Sequence, residues 1–164
     1  MAVRLSGDFN LSQLISTAES INGKKVITGP TGTRNRNLAK IHEYGVNINV
    51  TDKMRGYLSS QGLHLKASTT VIHIPERSFI RNGWDSNANN ILNKIEGLVS
   101  DVIKGSSVQV LTDGTGDLVV KALKDYARDL SSPALHPFTI ERKGSDDPLI
   151  DSGGMVGSID YEVK

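Results

Sequence analysis

Cysteine is absent from this 164-residue chain, which excludes disulfides and thiolate metal sites. Aromatic side chains are scarce at 5%, and hydrophobic residues of every kind reach only 37%. That is lean for a rigid enzyme core but well above a disordered composition. No apolar run approaches bilayer-spanning length, and no apolar leader follows Met1. The expectation is a soluble protein made inside the cell, with no membrane partner. Net charge is close to zero at +1, yet the signs are unevenly placed. Residues 1–84 hold 11 Lys/Arg against 5 Asp/Glu, whereas residues 85–164 hold 8 against 13. Such polarity can steer a basic surface of one copy to an acidic surface of the next, unless folding mixes the halves. There is no internal repeat and no low-complexity linker, so one domain covers residues 1–164.

What is present is a strand that runs straight into a long helix. Ile72-His73-Ile74 reaches Pro75, which cannot donate a ladder hydrogen bond and ends the strand. Beyond it Phe79, Ile80, Trp84, Ala88, Ile91, Ile95, Leu98 and Val102 share one helical face, with Leu92, Val99 and Ile103 beside them. The helix is predicted over Phe79–Lys104. Phe79, Ile80 and Trp84 read as anchors that pack it on a sheet, with a role at an interface as the alternative.

The other elements follow from period and punctuation. Leu11, Leu14, Ile15, Ala18 and Ile21 form an N-terminal helix face with Asp8 or Asn10 as its cap, closed by Asn22-Gly23. Lys25–Thr28 is a short strand, Gly29–Thr33 a turn and Arg34–Asn37 an exposed polar continuation. Leu38–Tyr44 is a short helix that Gly45 ends in a left-handed cap. Val46–Val50 alternates as a half-buried strand, and Thr51 caps a helix to about Ser60. Leu63–Lys66 and Thr69–Ile74 read as a hairpin or adjacent strands. Val108–Leu111 is a strand or apolar linker, and a second long helix spans Asp117–Leu130. The tail Pro137–Lys164 has no helical period; it offers a loop or arm over 137–150 and a closing strand at Ile159–Val163. The class is α+β, a mostly antiparallel sheet packed by two longer helices in a single domain.

Chemical motifs are thin. Gly29–Thr33 lacks the Lys-Ser/Thr ending of a phosphate loop, and Gly114-Thr115-Gly116 sits between Asp113 and Asp117. His64 and His73 can approach across a hairpin, but two imidazoles make half a metal site. Asp146, Asp147 and Asp151 lie in a turn-rich segment where solvation is the default, and Asp151 reads as a turn cap. No catalytic residue, cofactor site or metal site is assigned, and no enzyme activity is expected. A small nuclease or hydrolase is the competing class. Lys24, Lys25, Arg34 and Arg36 form a modest basic patch without stacking aromatics, so a nucleic-acid-binding module is a further alternative.

Three segments together carry a resemblance. They are Leu38-Ala39-Lys40-Ile41-His42-Glu43-Tyr44-Gly45, Ile74-Pro75-Glu76-Arg77-Ser78-Phe79-Ile80-Arg81, and Pro148-Leu149-Ile150-Asp151-Ser152-Gly153-Gly154-Met155-Val156-Gly157-Ser158-Ile159. In this order the chain resembles the tail-completion and neck proteins of tailed bacteriophages, of the virion-morphogenesis type. The likeness spans most of residues 38–163. Ser78 stands where that family usually has proline, and Ser152 where it usually has threonine. The resemblance implies a structural virion protein that completes the tail or joins it to the head connector, with tail termination as the alternative. It implies a six-fold homo-oligomeric ring around the DNA channel in the virion neck or tail, of a protein made in the host cytoplasm. Its partners would be the tail terminator or tail-tube protein and the head-completion or connector proteins, with non-specific contact to DNA in the channel. Pro75, Arg77, Phe79, Ile80, Arg81, Trp84, Leu149, Asp151 and Gly153 are the motif and interface candidates. Arg77 and Arg81 are expected to meet acidic residues of a neighbouring copy. Lys24, Lys25, Arg34 and Arg36 are the candidates for a channel or partner loop, and Gly29–Asn37 and Lys143–Asp147 are the loops expected to reach a partner.

Overall fold

The computed structural model describes residues 11–164, which leaves the candidate caps Asp8 and Asn10 outside the described residues. In chain order the elements are α1 (Leu11–Ile21), β1 (Val26–Pro30), α2 (Thr33–Tyr44), β2 (Val46–Asn49), α3 (Asp52–Ser60), β3 (Val71–Ile74), α4 (Phe79–Ile103), α5 (Val108–Asp129), α6 (Pro137–Lys143), α7 (Gly154–Gly157) and β4 (Ile159–Val163). The expected α+β class holds, and all strand pairing is antiparallel. The sheet is divided, however, into two two-stranded ribbons. In one, β1 pairs with β4 from Val26 opposite Val163 to Pro30 opposite Ile159. In the other, β2 pairs with β3 from Val46 opposite Ile74 to Asn49 opposite Val71.

The helices α4 and α5 form the spine. A short turn joins them, and they run antiparallel, with Gly83 beside Leu123 and Leu98 beside Gly114. The opposite face of α5 rests on the β1–β4 ribbon. There a Cβ on Gly116 would fall inside the Tyr161 ring, so only glycine lets helix and strand approach this closely. Phe79, Leu123, Ala127, Leu149, Met155, Val156 and Ile159 are all buried together here, with Ala39 of α2 closing the cluster.

Four expectations are corrected. The segment Arg34–Asn37 is helical, because α2 starts at Thr33; its polar residues are the outward side of a helix whose inward side is Ala39 and Glu43. Leu63–Lys66 is not a strand. The Arg55 guanidinium donates to the carbonyls of Leu65, Lys66 and Thr69 at 2.8–3.2 Å, taking up acceptors that a ladder would need. Val108–Leu111 is neither strand nor linker but the start of α5, which runs unbroken through Gly116 and is opened by Ser107, whose hydroxyl accepts from the Val110 N–H at 3.4 Å. The tail is not an unstructured arm, since α6 occupies Pro137–Lys143 between His136, which accepts from the Phe138 N–H, and a left-handed Gly144. Two turns are too short to display a helical period.

Residues 46–74 stand apart from the rest. None of them is buried, β2 and β3 pack mainly on each other, and α3 has no extensive packing on another element. The segment leaves and re-enters the body at one point. Gly45 has φ 65° and ψ 172°, a positive-φ but extended conformation rather than the expected left-handed cap. A Cβ there would stand 2.8 Å from the Ile74 carbonyl oxygen and 2.9 Å from the Glu76 nitrogen. The backbones of the outgoing and returning chain thus touch, and residues 46–74 form a pinched arm.

Candidate functional site

The segment Glu76–Arg81 opens α4, and its side chains build the densest polar cluster among the described residues. The first-turn N–H groups of a helix have no partner within the helix. Ser78, at the cap position, makes no cap bond of its own. Glu43 of α2 supplies the missing acceptor from 37 residues upstream. One carboxylate oxygen accepts from the Ile80 N–H at 2.9 Å, and the other accepts from the Arg81 N–H and the Arg81 Nε, both at 3.0 Å. Glu43 is 3% exposed, so this is a buried anion set against the positive end of a 25-residue helix. Arg81 Nη2 reaches back to the Glu43 carbonyl at 2.9 Å, to Glu76 Oε1 at 2.7 Å and to Ser78 Oγ at 3.0 Å. Its guanidinium also lies 4.9 Å from the centre of the Tyr44 ring. The Glu43 hydrogen bond raises the Arg81 pKa above its ordinary value. The Ser78 hydroxyl donates to Glu76 and, with Arg81, holds that carboxyl below the usual range.

Arg77 points the other way. It is 4% exposed and has no carboxylate partner among the described residues; Nε donates to the Pro133 carbonyl at 2.8 Å and Nη2 to the Ala134 carbonyl at 3.1 Å. Burial draws its pKa down. Its backbone N–H donates to the His42 carbonyl at 2.6 Å. The His42 Nδ1 beside it is buried without a hydrogen-bond partner. Burial first, then the charges of Arg77 and Lys143, push the His42 pKa below the usual histidine value. The Arg77–Arg81 stretch therefore ties α2, the end of β3, the start of α4 and the segment before α6 into one brace. An intersubunit ion pair is corrected for Arg77, which is wholly engaged inside its own chain. Arg81 keeps a half-exposed side chain but is committed to Glu43 and Glu76.

The remaining candidates divide between core and surface. Phe79 is fully buried and Leu149 nearly so, while Ile80 packs against the core from its edge. Trp84 is 39% exposed and lines an apolar groove of about 320 Å³ with Val26, Ile95 and Val119. Pro75 lines a larger groove of about 570 Å³ between the arm and the body, facing Leu135 and Phe138. Gly153, with φ 75°, leads into α7. Asp151 is exposed and makes no hydrogen bond among the described residues, so its expected capping role is absent there. The basic quartet is not one patch. Lys24 and Lys25 precede β1, and Arg34 and Arg36 follow it, about 16 Å of strand away. Lys143 turns inward on its own loop and donates to the Asp147 carbonyl. His64 and His73 take separate partners, Ser59 Oγ at 3.0 Å and Asn47 Oδ1 at 2.7 Å. Among the described residues no three His, Asp or Glu side chains converge as a metal site would require.

Sequence reasoning singled out Arg77 and Arg81 but missed the residue that organises them. Glu43 carries no local signal of its role, because its partners are in another element. Compared with protein-family models, curated proteins and solved structures, the chain matches none.

Proposed function

We propose that this chain is a structural subunit of a bacteriophage neck, completing the tail or joining it to the head connector within a homo-oligomeric ring. The observation that supports this reading is surface left over. The chain exposes 11114 Å². A compact monomer of its 17.7 kDa would expose about 8,000 Å². Contact with neighbours on two sides, at about 800 Å² for each standard interface, would cover about half of that excess. Apolar side chains stand in that surface, among them Leu11 at 67%, Tyr57 at 58% and Leu92 at 48% exposed. The hydrogen-bonded brace around Glu43, Arg77 and Arg81 gives such a subunit a fixed shape to present. In this reading Arg34 and Arg36, exposed at the start of α2, are the groups to test for contact with channel DNA.

Two measurements test the reading. Mass spectrometry of purified particles should find the chain at a fixed stoichiometry, and image reconstruction of the neck should place it in a ring. Its absence from mature particles would end the proposal. A divalent-metal-dependent cleavage assay on DNA and on peptidoglycan separates the competing nuclease or hydrolase reading, and turnover in it would favour that class.

A further inference from the structure

We propose that the arm is the donor half of a head-to-tail contact between copies of this chain, with α3 of one copy lying on the outer side of α4 of the next. The proposal rests on the ring reading above and specifies which surfaces meet.

The acceptor is a second stripe on α4, separate from its buried one. Asp85, Asn89, Leu92, Glu96, Val99 and Ile103 follow one another at spacings of four and three, so they form one continuous row. Val99 is half-buried, and the other five are exposed. Leu92 is 48% and Ile103 41% exposed. Asp85 and Glu96 form no ion pair among the described residues. The row therefore sets Leu92 between two carboxylates, Asp85 and Glu96, with Val99 and Ile103 continuing it beyond Glu96.

The donor is the outward side of α3. Lys53 and Tyr57 lie one turn apart, both exposed, with Gly56 beside Tyr57 in open space. Lys53 has no ion-pair partner among the described residues, and the missing side chain at Gly56 lets another helix come close. Lys53 stands one turn from Tyr57 and Glu96 one turn from Leu92, charges of opposite sign; Asp52, also exposed, lies on the far side of Gly56. All five ion pairs among the described residues join residues within 1–84 or within 85–164, and none crosses between them.

Geometry makes the contact intermolecular. The arm leaves the body at the N-terminal end of α4, whereas Leu92 lies about 20 Å and Ile103 about 36 Å along that helix. Donor and acceptor are different surfaces, so the contact is heterologous and closes into a ring when its rotation divides the circle.

The absence of cysteine permits a direct test. Purified Tyr57→Cys and Leu92→Cys chains, mixed and oxidised, should give a mixed disulfide dimer that neither gives alone. Sedimentation equilibrium should show Lys53→Glu weakening self-association by about tenfold or more, with Glu96→Lys in the same chain restoring it. Circular dichroism of each variant checks that the fold is kept. If the wild type self-associates while the cross-link fails and charge reversal changes nothing, the α3–α4 contact is overturned and the ring reading stands. If the wild type is monomeric at every concentration and absent from particle necks, both fall.

Discussion

The body and the arm of this chain follow opposite strategies. Around Phe79, Leu123 and Ile159 the body buries apolar side chains from five elements and closes the N-terminal end of α4 with a buried carboxylate. The arm, residues 46–74, buries nothing and holds its shape through ladder hydrogen bonds and the three carbonyls gathered by Arg55. Hydrophobic burial scales with area removed from water, so the body carries the stability and the arm draws on it. The contrast teaches that a lean composition need not mean a loose protein. Here one cluster of large apolar residues makes the centre, while others, among them Leu11, Trp84 and Leu92, stand in the surface.

Substitutions can break or sharpen this contrast. The largest effect belongs to Phe79→Ala, which empties the centre of the body and should lower unfolding free energy by about 3–5 kcal/mol in urea denaturation. A loss under about 1 kcal/mol would mean the body has no such centre. Next is Glu43→Ala, which leaves the Ile80 and Arg81 N–H groups without their acceptor; a loss of about 2–3 kcal/mol is expected. Glu43→Gln, keeping the shape, should lose less. A third effect is read as a slope. The folded-state pKa of His42 lies below its unfolded value, so the unfolded chain takes up a proton first as pH falls. Stability from this group is complete above about pH 6.5 and is lost as pH falls from there through the folded pKa. The wild type should therefore lose more stability over that window than His42→Gln, and parallel curves for the two would remove His42 from the account. The smallest effect is in the arm. Tyr57→Ala should leave the unfolding free energy of the monomer in urea within about 0.5 kcal/mol of wild type. A loss several times larger would show that the arm is part of the core after all.

Much of the fold was legible because it is local. The stripe on α4, the alternation in β2, the Thr51 cap and the closing strand β4 are each written within a few neighbouring residues. The misreadings have a common cause. Asp113-Gly114-Thr115-Gly116 looks like a loop by propensity, yet its glycines are there to admit Leu98 and the Tyr161 ring, which lie elsewhere in the chain. Arg34–Asn37 looks like a loop because only one side of that helix meets the body. The pairing of β1 with β4 joins Val26 to Val163, and no short-range pattern announces it. The candidate site shows the same division. Arg77, Phe79 and Arg81 were conspicuous in sequence, whereas the use made of Arg77 depends on the carbonyls of Pro133 and Ala134.

The pinch at Gly45 has a consequence for descent as well as for shape. Chain enters and leaves through a single doorway, and a segment closed at its base can lengthen, shorten or be replaced at small entropic cost. The segment can thus diverge quickly while the scaffold beneath it is inherited intact.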